Sequence, residues 1–371
     1  MSKLIYIYMF ILLVFFATCK KDPAIYVENI YNPTPYKLTY PTGVLPPNIP
    51  AENPLTVEGV ELGRRLFYDK KLSGDNTMSC ASCHGQAFAF TDNNKQFSKG
   101  ITNEFGKRNA MPIFNLAWEK TFFWDGGAPN LESQIVGPLT SPIEMHSSFA
   151  DVVEKLKADP IYPKMFKKAF GKDTITSAYI MRAIAQFERS IVSFNSLFDR
   201  TYKTQKQREY ALQNPITRLD SGFLVFALDS SPSRPNLRPG HCWHCHGLSP
   251  STALFTDLSF HNNGLEDVYV DSGRMRITYN EIDRGFFKTP TLRNLSFTAP
   301  YMHDGRFKKL EEVIEHYSSG VHYLNNKDGI TRNDFSRPLK LNARDKENLK
   351  IFLLSLSDSS LLYEEKYKSP F

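Results

Sequence analysis

Cys80-Ala81-Ser82-Cys83-His84 and Cys242-Trp243-His244-Cys245-His246 are two copies of one pattern, C-x-x-C-H. The spacing sets two thiols on one helical turn, where they can form thioethers to the two vinyl groups of a haem. It also places the following histidine below the ring as an iron ligand. A zinc site, the rival use of C-x-x-C, leaves the histidine after each pair unexplained. A redox dithiol fails for the same reason. The sequence therefore predicts two covalent haems c, one on Cys80, Cys83 and His84 and one on Cys242, Cys245 and His246.

Working outward, the spacing between the motifs suits one cytochrome-like domain each. Ile180, Ile184, Phe187, Ile191 and Phe194 recur at helical intervals and predict a buried helix face. Leu349, Phe352, Leu353 and Leu356 predict another, and Ser148 with Asp151 predicts a capped helix start. A glycine, an apolar helix and then C-x-x-C-H occur in Gly63 to His84 and again in Gly222 to His246, a weak internal repeat. The expected fold is mainly α, with two cytochrome c-like helical domains. The polar stretch Thr201 to Thr217 places their boundary, giving 55–205 and 206–371.

The chain has five cysteines, so the motifs leave one over, Cys19. Residues 1–18 read as a signal peptide: Lys3, then an apolar run from Leu4 to Phe16 that is short for a membrane span. Phe16-Ala17-Thr18-Cys19 resembles a lipoprotein box, which makes Cys19 the expected lipidated N-terminus of an exported, membrane-anchored protein of the periplasm or cell envelope. Proline-rich residues 19–54 are expected as an extended tether. The formal net charge of +6 is spread without a long basic run, which argues against nucleic acid as a partner.

Beyond the haem motifs, the chain resembles the bacterial di-haem cytochrome c peroxidases, including the methylamine-utilisation type. The resemblance runs from about Leu62 to Leu356. It is carried by Leu66–Ser73 (LFYDKKLS), Gly106–Asn109 (GKRN), Phe123–Gly126 (FWDG), Leu131–Glu144, Lys288–Asn294 (KTPTLRN) and Ala299–Gly305 (APYMHDG). It implies a peroxidatic haem in the first domain and an electron-transfer haem in the second.

Reducing hydrogen peroxide needs an open iron position and a group that carries a proton from one oxygen to the other, work a carboxylate can do. Glu144 matches the family's catalytic glutamate, and Gln134 a glutamine that hydrogen-bonds the bound oxygens. Trp124 matches an indole between the haems. Many members carry a histidine some sixteen residues after the first motif that blocks the peroxidatic iron. Here no histidine lies between His84 and His146, so the first iron is expected to be open in the oxidised protein. Tyr317, on the apolar face of Leu310, Val313 and Ile314, is expected to face inward while His316 does not. Tyr317 falls where members place a methionine or tyrosine on the second iron; Met302 is the weaker candidate. Asn109, Thr298 and Pro300 match positions that bind one calcium in the family.

The implied partners are hydrogen peroxide and a small c-type cytochrome or cupredoxin donor, with a homodimer as the family's tendency. Two alternatives stay open: a di-haem oxidase that modifies a partner protein, and a non-catalytic di-haem electron carrier.

Overall fold

The structure, a computed structural model, describes residues 31–229, 238–247, 253–322, 328–334 and 338–371. The expected signal peptide and Cys19 lie outside them. Residues 33–371 form one unit. Among the described residues no helix is long and apolar enough to cross a membrane.

The fold is mainly α. Thr56 accepts a hydrogen bond from Gly59 N and so starts α1 (Val57–Tyr68). Short α2 (Leu131–Gln134) and α3 (Val136–Thr140) follow a long loop region, then α4 (Phe149–Ala158), capped by Ser148 as expected. Next come α5 (Ile161–Phe170), α6 (Ser177–Ser190), α7 (Leu197–Thr201), α8 (Gln205–Gln213) and α9 (Arg218–Ala227). The second motif forms α10 (Trp243–His246). Beyond it lie α11 (Met275–Thr278), α12 (Leu310–Glu315), α13 (Gly329–Asp334) and α14 (Ala343–Ser355). Strands β1 (Phe260–His261) and β2 (Phe287–Lys288) make a minimal antiparallel pair.

Two helix pairs organise the unit, and they repeat each other residue by residue. On α1, a Cβ at Gly63 would lie 1.8 Å from Ala183 O and 2.9 Å from Phe187 Cβ on α6. On α9, a Cβ at Gly222 would lie 1.9 Å from Asn348 O and 2.9 Å from Phe352 Cβ on α14. Only glycine permits either crossing. Three residues past each phenylalanine a serine hydroxyl donates back to its carbonyl: Ser190 to Phe187 and Ser355 to Phe352, both at 2.6 Å. Asn115 and Asn294, both left-handed, then cap the ends of these pairs through Ser193 N and Asp358 N. The repeat extends into the turns Phe122–Ala128 and Tyr301–Phe307, where Phe123 matches Met302 and Trp124 matches His303. The weak repeat seen in the sequence is therefore a repeat of architecture.

One core contains Leu62, Leu66, Phe67, Ile180, Ile184, Phe187 and Ile191, all fully buried. The helix itself stops at Ser190, because Ile191 turns extended to bond Asn115, so Phe194 leaves the predicted helical face. The other core contains Phe198, Phe223, Phe226, Phe352 and Leu356, and begins at Phe198, ahead of the expected boundary. Residues 33–54, expected as tether, are packed instead. Apolar Leu38, Val44 and Ile49 cover Trp118, whose indole N–H donates to Leu45 O at 2.7 Å, and Asn53 is buried against Gln186. At the other end, Leu361 and Tyr367 return to the first core.

Candidate functional site

Each C-x-x-C-H folds into one helical turn: His84 N donates to Cys80 O at 2.9 Å and His246 N to Cys242 O at 3.0 Å. His84 Nδ1 meets Phe90 O and His246 Nδ1 meets Phe255 O, both at 3.1 Å. A carbonyl only accepts, so Nδ1 carries the proton in each ring and Nε2 keeps the lone pair a metal needs. Burial depresses both imidazole pKa values, His246 to about 4, so both are neutral near pH 7. The four cysteines form no disulfide. Burial pushes the thiols of Cys80, Cys83 and Cys242 up, Cys83 to about 11 and Cys242 to about 12, the opposite of a reactive redox dithiol.

A cavity of about 940 Å³ opens beside the first motif. Cys80, Cys83 and His84 line it, and so do Trp124, Gln134 and Glu144. That volume is of cofactor size. Thiols spaced to form thioethers, a neutral imidazole with its lone pair available, and a wall carrying the buried carboxyl of Glu188 and the exposed one of Glu144 all fit a haem. The sequence scattered these residues over some sixty positions; the fold brings them to one chamber. Burial raises the Glu144 carboxyl pKa, partly offset by a hydrogen bond with Ser141. Gln134 ends α2, whose cap Asn130 holds the helix start. Glu188, on α6, also lines the cavity and was missed in the sequence, where it reads as a neighbour of the apolar stripe.

Trp124 is buried, with its indole N–H on Asn109 O at 2.9 Å. It packs with Leu265, Tyr269 and Phe287, and with Met302 at the cluster's edge. Met302 Sδ accepts from Asn263 Nδ2 at 3.4 Å, and the Asn263 side chain also hydrogen-bonds Tyr317. Burial raises the Tyr317 phenol pKa, with Cys242 and Cys245 close enough to add to the effect. Both candidate ligands of the second iron thus share Asn263, a residue without any motif signal. His316 corrects the sequence reading: it is buried, with Nε2 donating to Asn263 O at 3.0 Å. Helix α12 passes into a π-helical turn over His316–Gly320, and the wider turn brings both rings inward.

The cavity rim is ionic. Arg108 donates to Asp125 at 2.6 Å and through two nitrogens to Asp271 at 2.6 and 2.8 Å. Lys288 Nζ meets Glu119 at 2.8 Å, tying the two halves together. Asn109 spends its amide on Lys95 O and Gln96 O, while Thr298 precedes the cis peptide Ala299–Pro300, of which Pro300 is part. Among the described residues no hydrogen bond joins these three, so the calcium assignment rests on resemblance alone.

The chain is similar to known proteins. Residues 57–207 match the family model of the di-haem cytochrome c peroxidases. The methylamine utilization protein MauG of Methylorubrum extorquens is 36% identical over 319 residues, 83% of this chain and 80% of that protein. The chain belongs to the di-haem cytochrome c peroxidase family. Among its relatives, the cytochrome c551 peroxidase of Nitrosomonas europaea is 33% identical over 329 residues, 86% of this chain and 90% of that protein. The crystal structure of a MauG-like protein associated with microbial copper homeostasis superposes with a TM-score of 0.76 at 34% identity, covering 90% of this chain and 99% of that one. Membership makes this chain a haem-dependent, peroxidase-type oxidoreductase.

Proposed function

We propose that this chain reduces hydrogen peroxide to water, with one haem in each core. Cys80, Cys83 and His84 would hold the reactive haem; Cys242, Cys245 and His246 would hold the one that stores and passes electrons. The observation that carries this reading is the placement of Glu144 and Gln134 in one cavity with His84.

The haem, when bound, supplies an iron that binds peroxide and accepts electrons one at a time. The chain's residues do the rest. Glu144, its pKa raised by burial, takes a proton at a carboxylate oxygen and returns it to the leaving oxygen as water forms. Gln134 offers an amide N–H to orient the oxygens. Trp124 and its packed neighbours exclude water between the two sites and provide a π-system for electron passage. Tyr317, with Met302 the weaker choice, would hold the second iron together with His246. The donor is a small redox protein, a c-type cytochrome or cupredoxin. Export and the Cys19 lipid anchor are proposed from residues 1–19, and the calcium and a homodimer from the family resemblance.

The test is steady-state turnover of the two-haem protein with peroxide and a reduced small cytochrome. Turnover in wild type, lost in Glu144→Gln, is expected. Full turnover by Glu144→Gln would sink the mechanism. One observation favours the oxidase alternative: Tyr317 stands beside the second motif in a chain 36% identical to a MauG. Peroxide consumption that requires a protein substrate instead of a reduced cytochrome would select it.

A further inference from the structure

Glu188 is the buried acid this mechanism leaves unused. It is 3% exposed, and its Oε2 is buried without a hydrogen-bond partner. It lines the same cavity as His84, close enough to Cys80 to act on that thiol. A buried ionised carboxylate without partners is costly, so such a group either meets a ligand or holds a proton.

The adjacent cation does not answer it. Arg189 is committed to Glu132 on α2 through two bonds of 2.6 and 2.8 Å. The architecture does not require an acid here either. In the repeat, Phe187 matches Phe352 and Ser190 matches Ser355, so Glu188 falls on Leu353, a buried leucine of the second core. The same place in the same helix crossing is apolar in one half and ionisable in the other.

We propose that Glu188 is the proton partner of electron uptake at the first haem site. The inference rests on the haem reading given above. On one-electron reduction of a haem held here, from ferric to ferrous, the cavity would lose one unit of positive charge. The Glu188 carboxylate then takes one proton from solvent, and the cavity's net charge is restored. Oxidation returns the electron and releases the proton. The coupling is reciprocal: a charge change at the iron shifts the acid, and the acid's charge shifts the potential by the same free energy. Low dielectric in the cavity makes it strong.

The charged and titratable groups facing Glu188 are Arg189 on its own helix, Glu132 from α2 and Cys80 from the motif, the last removed by thioether formation. His84, Glu144 and the Glu119–Lys288 pair also line the cavity. Burial pushes the Glu188 carboxyl up to about 8, with Glu132 adding to the rise and Arg189 opposing it. This acid therefore changes state near neutral pH. Glu144 handles protons of the substrate, Glu188 those that accompany the electron.

The experiment is a spectroelectrochemical titration of the two-haem protein at a series of pH values on either side of 8. Haem content is counted first, and a count below two refutes the haem reading itself. In wild type the first-haem potential falls as pH rises through this range. In Glu188→Gln it becomes flat, and in Glu144→Gln it keeps the wild-type dependence. A flat wild-type profile, or an unchanged slope in Glu188→Gln, overturns the proposal. Should Glu188→Gln fail to load haem, redox-difference infrared spectra of wild type and Glu144→Gln decide. A protonated-carboxyl band gained on reduction in both supports it; no such band overturns it.

Discussion

At the residue scale, Glu144 and Glu188 show how environment separates two glutamates in one chamber. Glu144→Gln keeps the shape and removes the proton carrier. Peroxide turnover should fall on the order of 10²- to 10⁴-fold with haem content unchanged, measured by steady-state kinetics. Glu188 has a signature in stability. Its folded pKa is raised to about 8 from an ordinary 4.5, so its contribution is fully present below 4.5 and lost as pH rises through 8. The wild-type unfolding free energy should decline across that window relative to Glu188→Gln, by up to about 1.4 kcal/mol per pH unit, measured by denaturant titration. Glu144 is raised too and acts in the same direction, so the difference between the two proteins is the quantity to read. At the first iron, the lack of a histidine between His84 and His146 predicts a high-spin ferric EPR signal in the oxidised protein. Only low-spin iron would count against it.

At the element scale, helix crossings and one irregular turn govern the two sites. A methyl added at Gly63 meets Ala183 O at 1.8 Å, and backbone cannot step aside as a flexible side chain can. Gly63→Ala should cost about 1–3 kcal/mol or more, read as a lowered unfolding midpoint, and Gly222→Ala should match it. Equal losses would express the repeat in energy. Much of this was legible beforehand, because glycine, apolar period and C-x-x-C-H recur in order. What was not legible has physical causes. Helical periodicity assumes a constant turn, and the π turn at His316–Gly320 breaks it, so His316 was placed on the wrong face. Asn263 carries no periodic or motif signal, and its role comes from contacts with Met302 and His316 that only folding creates. Glu188 sits one residue beyond the apolar stripe, where a single sequence reads solvent. Tyr317→Phe tests the turn's product: the second haem's absorption spectrum should change, and an unchanged one removes the ligand assignment.

At the scale of the whole molecule, the two cores are stitched by groups from distant parts of the chain. Lys288 reaches Glu119 across the two halves, while Arg293, fully buried, holds the second together by reaching Asp199, next to Phe198, through two bonds of 2.8 Å. The sequence showed Arg293 and Lys288 as motif members without showing what they join. The returning segment was invisible, since Leu361 and Tyr367 form no periodic pattern. Tyr367 nevertheless accepts from Val192 N at 3.1 Å and donates to Ser190 O at 2.9 Å. Its own carbonyl accepts from Tyr68 Oη at 2.8 Å. Tyr367→Ala should therefore destabilise the core around the first motif, by about 3–5 kcal/mol, as for other large buried aromatics. Limited proteolysis should show earlier cleavage in residues 57–190 than near the second motif.

That returning segment also sets an order of events while the chain is being made. Tyr68 and its partner Tyr367 are 299 residues apart, so the first core stays incomplete long after its own helices have been synthesised. Nascent chains usually complete their leading half first. Here closure waits for residues that come after the second motif. Cys80 and Cys83 line the cavity of that core, so the first motif gains its finished surroundings only once residues beyond the second motif are present, and the half that begins first finishes last.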